Sequence, residues 1–321
     1  MGEVKATKKD PYHNLLLDRL LAAERPLSYE LTYPASFPPC DVVPFDCSAL
    51  WPLAEQHFAS YGRVEGHLQV NAFDIPVGPP PFAHAWYEYK HSSGKYRGSY
   101  VYSVLAEALA DLNPIPLYGE SLTLPTHWIQ FITSFYERVD GGFEGDNSCL
   151  VSRLDSRSNP VGYSMIVGGR WITKAEEAEI ENTPNGHLAS WMSKGIFALF
   201  FQGLLNCKNV ETDEITPPPR LSRKHARRHG GLPYVRYHTL KIRVPGTKTY
   251  VDMEAVRRAT QDPVPLGLHL VRGHFKTYTA EHGLFGRIAG TFYWPPALRG
   301  SLAAGAVGKH YEEQPQKDAN G

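Results

Sequence analysis

The stretch "GHLASWMSKGIFALFFQGLLNC", residues 186–207, decides the fold class. It is apolar on most faces, which predicts a helix over about 187–206 at the centre of a core rather than on a surface. Its longest apolar run, "GIFALFFQGLL" at 195–205, is about half of the roughly 20 residues a bilayer span requires, so the helix is expected to pack against protein. The partner is read from the flanking sequence. From Pro26 to about residue 150, Pro and Gly recur, and alternating runs such as "GHLQVNAF" and "KYRGSYVYSVLAEAL" read as antiparallel strands. "PVGYSMIVGGRWIT" at 160–173 reads as another strand ending at a Gly-Gly turn. The expected fold is α+β: an antiparallel sheet of short strands packed against the apolar helix at about 187–206.

Punctuation residues set the organisation. Asp10 and Pro11 form a cap and first-turn pair, and Leu15, Leu16, Leu20 and Leu21 follow at helical spacing, giving a short amphipathic helix to about Glu24. "PVGPPPF" at 76–82 is a rigid extended connection, because consecutive prolines exclude a central strand. "TPPPR" at 216–220 reads as a stiff spacer. The expected organisation is therefore an α+β main region over 1–215, a basic segment and C-terminal β region over 216–310 packed on the same core, and a disordered polar tail over 311–321. No repeat with a period of 20 to 50 residues is present, which excludes solenoids and propellers.

The 321 residues are 42% apolar and 12% aromatic, as in a chain that buries a sizeable core. Lys plus Arg and Asp plus Glu balance at 33 each, so an electrostatic partner has to be met by a local patch. Cys40, Cys47, Cys149 and Cys207 make neither CxxC pairs nor a secreted disulfide framework, and reduced buried thiols are expected. The N-terminal segment lacks an uninterrupted apolar h-region, and Ala6 stands where N-myristoylation favours Ser or Thr, so a cytoplasmic location is expected.

The local patch lies between Ile215 and Val251, where no acidic residue occurs. Its cations include Arg220, Arg223, Lys224, Arg227, Arg228, Arg236, Lys241 and Arg243. "RLSRKHARRHGG" is too basic and glycine-rich for a core helix and is expected as an exposed loop or short helix. "YVRYHTLKIRV" alternates as a strand does. Several cations in one window suit phosphate-backbone contact by counterion release, with DNA or RNA as partner. The alternative is a solvated loop balanced by the acidic segment at 175–181.

A basic linker, a "LPxxxYHxL" strand, then "HLVRGHF", "LFG" and "GTFYWPPALRG" resemble the C-terminal part of uncharacterised proteins of tailed phages and other bacterial mobile elements. The resemblance covers about the last third of the chain. It implies a phage or mobile-element origin and a bacterial host cell, and it carries over no activity, cofactor or catalytic residue.

Within that motif Arg272 and His274 fall on one face if "HLVRGHF" is a strand, and such a pair suits a phosphodiester, with Glu88 in "WYEYK" as the carboxylate partner whose pKa aromatic neighbours would raise. His269, His274 and His282 are not expected to bind a metal, because a loop separates His282 and no Asp or Cys is near. Gly283, Gly286 and Gly290 do not form a dinucleotide fingerprint, so no cofactor is expected. Trp294 before two prolines reads as a hydrophobic clamp or, if exposed, a base-stacking platform. "HLVRGHF" and "GTFYWPPALRG" are expected to pair and to bring Arg272 and Arg299 together, with Gly283 and Gly286 supplying positive φ in the connection.

The function expected from these residues is that of a non-enzymatic accessory protein associating with nucleic acid. One alternative is a metal-independent enzyme using Arg272, His274 and a carboxylate on phosphodiesters or nucleotides. A further one is binding of a host protein. No membrane partner is expected.

Overall fold

A computed structural model describes residues 15–21, 42–59, 63–64, 67–68, 75–110, 126–139, 142–167, 170–171, 188–228, 234–245, 248–253, 268–271 and 273–300. The first elements are α1 (Leu16–Leu21), β1 (Val43–Asp46), α2 (Trp51–Ala59), β2 (Arg63–Val64) and β3 (His67–Leu68). They are followed by β4 (His84–Lys90), β5 (Tyr96–Leu105), α3 (Ala106–Ala110), β6 (Trp128–Glu137), β7 (Phe143–Leu154), β8 (Pro160–Val167) and β9 (Arg170–Trp171). Next come α4 (Leu188–Leu205), β10 (Val210–Ile215), α5 (Pro219–Arg228) and β11 (Tyr237–Ile242). The last strands are β12 (Leu268–Val271), β13 (His274–Tyr278), β14 (Gly290–Trp294) and β15 (Ala297–Gly300). The fold is mixed α/β, with one large sheet and few helices.

Nine strands form that sheet in the order β10-β11-β1-β4-β5-β6-β7-β8-β9. It is not antiparallel throughout, as the sequence suggested: β1 runs parallel to both β4 and β11. The physical reason is connectivity. Parallel neighbours need a crossover, and between β1 and β4 the chain passes through α2, β2 and β3 rather than a tight hairpin. The run from β4 to β9 is antiparallel.

Each face of the sheet buries its own apolar layer. Ala85, Tyr87, Tyr89, Val101, Ile132 and Leu150 meet α4, whose Leu199, Phe200, Phe201 and Leu204 are fully buried. Gly195 allows the close approach, since a Cβ there would stand 2.7 Å from Leu150 Cδ2. The residues between, such as Trp86, Tyr100, Phe131 and Phe135, meet Leu16, Leu17 and Leu20 of α1. This alternation is the period of two that a strand imposes. Cys47, Cys149 and Cys207 are free, buried thiols, and Cys40 lies outside the described residues. Among the described residues no helix is long and apolar enough to cross a membrane.

The C-terminal motif forms two short ladders, β12 with β15 and β13 with β14, so "HLVRGHF" and "GTFYWPPALRG" are paired segments. The break falls at Gly273 opposite Pro295 and Pro296, where a Cβ would collide with the Tyr293 hydroxyl oxygen. Phe275 and Tyr293 pack edge-on against Phe200 of α4, at ring-centroid distances of 5.6 and 5.9 Å. In the connection Gly286 takes φ 70° and Phe285 φ 52°, whereas Gly283, also expected at positive φ, is not left-handed.

Candidate nucleic-acid interface

Helix α5 begins at the third proline of "TPPPR", not after it. Pro219 supplies a preset φ and needs no amide partner in a first turn. Arg220, Arg223, Lys224, Arg227 and Arg228 then recur at i, i+3, i+4, i+7 and i+8, which gathers them within an arc of about 140° along about 12 Å of axis. All five are exposed, and no ion pair joins any of them to a carboxylate among the described residues. The inward side is held differently: His225 is buried, and its ring stacks on Tyr234 with centroids 3.9 Å apart. Tyr234 is in turn fixed beside Val235, whose amide donates to Asp18 Oδ1 of α1 at 2.9 Å.

The remaining cations of the basic window are placed otherwise. β11 pairs antiparallel with β10, whose sequence "VETDEI" sets a row of acids beside it. Arg243 bonds Glu211 at 2.8 Å, Lys241 pairs with Asp213, and Arg236 lies 3.6 Å from Glu214. Tyr250 adds its hydroxyl to Glu211 at 2.6 Å and its ring beneath Arg243. Arg236, Lys241 and Arg243, expected as phosphate contacts, are therefore matched by an acidic strand. The acidic segment at 175–181, expected to balance the patch, lies outside the described residues. Two signals in the sequence separate the sets: the helical spacing of the first five cations, and the acids of "VETDEI".

Of the C-terminal candidates, Arg272 lies outside the described residues, as does the side chain of Arg299. The register sets Arg299 opposite His269. Trp294 is half-buried, with its indole nitrogen buried and without a partner, so its ring is not presented as an open stacking platform.

Of the expected catalytic grouping, Glu88 and His274 are not brought together. Glu88 is fully buried, and its carboxylate accepts from the amides of Leu16 at 2.7 Å and Leu17 at 3.2 Å and from Trp86 Nε1 at 3.0 Å. It caps α1. Burial pushes its carboxyl up to about 8, and the three donors pull against that rise. The raised pKa read from its aromatic flanks is thus present, in a structural group. His274 is exposed on β13, whose neighbouring Phe275 packs on the α4 face, while Glu88 points to the α1 face. The sheet separates the two. Among the described residues no group of His, Cys, Asp or Glu could hold a metal ion.

No family model, curated protein or solved structure matches the chain.

Proposed function

We propose that the protein associates with nucleic acid through the cationic face of α5, as an accessory protein of a phage or mobile element, and that Arg220, Arg223, Lys224, Arg227 and Arg228 contact backbone phosphates. One observation carries the reading. The pairs Arg220–Arg223, Arg220–Lys224, Arg223–Arg227, Lys224–Arg227 and Lys224–Arg228 are like-charge neighbours on a helix that contains no acid. Such pairs are each unfavourable by about a few tenths of a kcal/mol, so the isolated fold gains nothing from clustering them. A row of phosphates turns that repulsion into attraction. Arg227 and Arg228 also suit the negative end of the helix dipole, but Arg220 and Arg223 near its positive end do not. The face bears no aromatic side chain, so it fits sequence-independent backbone contact rather than base stacking.

The test is binding to a short DNA duplex across a salt series. Five contacts give a slope of log K against log salt of up to about −4.5, at about −0.9 per phosphate. Arg223→Glu with Arg227→Glu is expected to abolish binding. Absence of affinity at low salt, or undiminished binding by that double variant, overturns the proposal.

A further inference from the structure

A recess opens on the α4 side of the sheet, at the end of β5 and β6 that carries Arg97 and Tyr136. Its volume is about 290 Å³, and Tyr89, Lys95, Arg97, Ser134, Tyr136 and Glu137 are among the residues that line it. The strand register decides which side chains face it. Tyr89 pairs with Arg97, and Arg97 with Tyr136, so all three stand on one face. That face is the α4 face, because Tyr89 stacks on Trp51 with centroids 4.4 Å apart and packs against Phe197. Arg97 hydrogen-bonds Tyr89, and Lys95 at the rim donates to the Arg138 carbonyl at 3.2 Å.

Two carboxylates stand at this end of the sheet: Glu144 lies opposite Tyr136 in the register, and Glu137 is itself part of the lining. Glu137, next to Tyr136, accepts from Arg19 at 2.9 Å and from the Tyr96 amide at 3.2 Å on the α1 side. Glu137 is thus engaged by Arg19 and acts on Lys95 only as a neighbouring charge, and no ion pair joins Lys95 or Arg97 to a carboxylate among the described residues. A half-buried guanidinium has lost part of its hydration, and a bidentate anion is its strongest replacement partner. Ser134 adds a hydroxyl and Tyr136 a ring.

We propose that this recess binds a small organic anion, with its carboxylate or phosphate on Arg97 and Lys95 and a flat body against Tyr136. Its volume lies at the lower limit of small-molecule sites, which run from about 300 to 1,000 Å³, so it fits one ring and one anionic group rather than a nucleic-acid strand. The site is independent of the α5 face.

Calorimetric titration of the full chain with phenyl phosphate, benzoate and inorganic phosphate tests it. Both ring-bearing anions are expected to saturate at one per chain, with inorganic phosphate at least tenfold weaker. Arg97→Met is expected to weaken both at least tenfold, and Arg223→Glu on α5 to leave them unchanged. If Arg97→Met does not fold by circular dichroism, Lys95→Met at the rim is read in its place against the same outcomes. The proposal is overturned if neither ring-bearing anion binds saturably, if inorganic phosphate binds as tightly as phenyl phosphate, or if Arg223→Glu rather than the recess variant abolishes binding.

Discussion

The imidazole ring of His225 lies on the phenol ring of Tyr234, with centroids 3.9 Å apart and planes inclined by 24°. His225 is the buried side chain of a helix otherwise dominated by exposed cations, so this stack orients the cationic face. An aromatic pair of this kind is worth about 0.5–1.5 kcal/mol beyond its area. His225→Ala is expected to raise exchange of the α5 amides about two- to tenfold and to lower nucleic-acid affinity severalfold, with little change in global Tm. Unchanged α5 protection in hydrogen-exchange mass spectrometry would show that the stack does not hold the helix.

The matched cations of β11 should behave unlike those of α5. Lys241→Ala and Arg243→Ala each break an exposed pair with β10, and exposed pairs contribute little. Both variants are expected to keep near-wild-type melting and near-wild-type binding in the duplex assay, whereas Arg223→Ala loses affinity and flattens the salt slope by about one phosphate. Equal losses from all three would place the interface on the strand as well.

Glu88 gives the fold a pH dependence. Burial lifts its carboxyl from 4.5 to about 8, so between those values the folded chain binds a proton that the unfolded chain has released. Its contribution is fully present below about pH 4.5 and is lost as pH rises through about 8, by an amount of order a few kcal/mol at about 1.4 kcal/mol per unit. Glu88→Gln removes this titration. It also leaves one of the Leu16 and Leu17 amides without a carboxylate oxygen, at about 1–3 kcal/mol. Urea unfolding at pH 5, 7 and 9 should therefore show a slope in the wild type that the Gln variant lacks; parallel profiles would remove Glu88 as its source.

What the sequence disclosed and what it withheld follow different physics. Strand-forming runs such as 96–105 are legible because alternation and β-branched or aromatic residues are local properties. The pairing of the two C-terminal segments was legible from the glycine-bearing connection between them. The parallel placement of β1 between β4 and β11 was not, since direction is decided by a crossover and by a partner almost 200 residues away. The same non-local step defeated the grouping of Glu88 with His274. Each residue's exposure or burial has local cues, but which side of the sheet it occupies depends on strand register and on the helix that covers that side. The neutralising row on β10 was visible as "VETDEI", yet its meaning rests on the antiparallel register with β11.

Asn209 ties the C-terminal ladder to the main sheet, and its loss should detach one from the other. Its side-chain amide donates to the carbonyls of Arg243 at 2.7 Å and Tyr293 at 2.8 Å, while Oδ1 accepts from the Tyr293 amide at 3.0 Å. Three backbone groups of two segments thus depend on one side chain that is 5% exposed. Asn209→Ala removes all three bonds, and at about 1–3 kcal/mol for each buried group left unpaired, less than additively, a loss of about 2–4 kcal/mol is expected. Asn209→Asp keeps the acceptor but sets a carboxylate against two carbonyl oxygens, so it should destabilise more than Ala at neutral pH and recover partly on acidification, when the protonated acid can donate once. Urea denaturation of both variants, with hydrogen exchange read at 290–294, measures this. A loss below about 1 kcal/mol for Asn209→Ala, or an Asp variant as stable as wild type at neutral pH, would mean that the ladder is held instead by the Phe275 and Tyr293 packing on Phe200 and by the Lys208 amide on the Thr291 carbonyl.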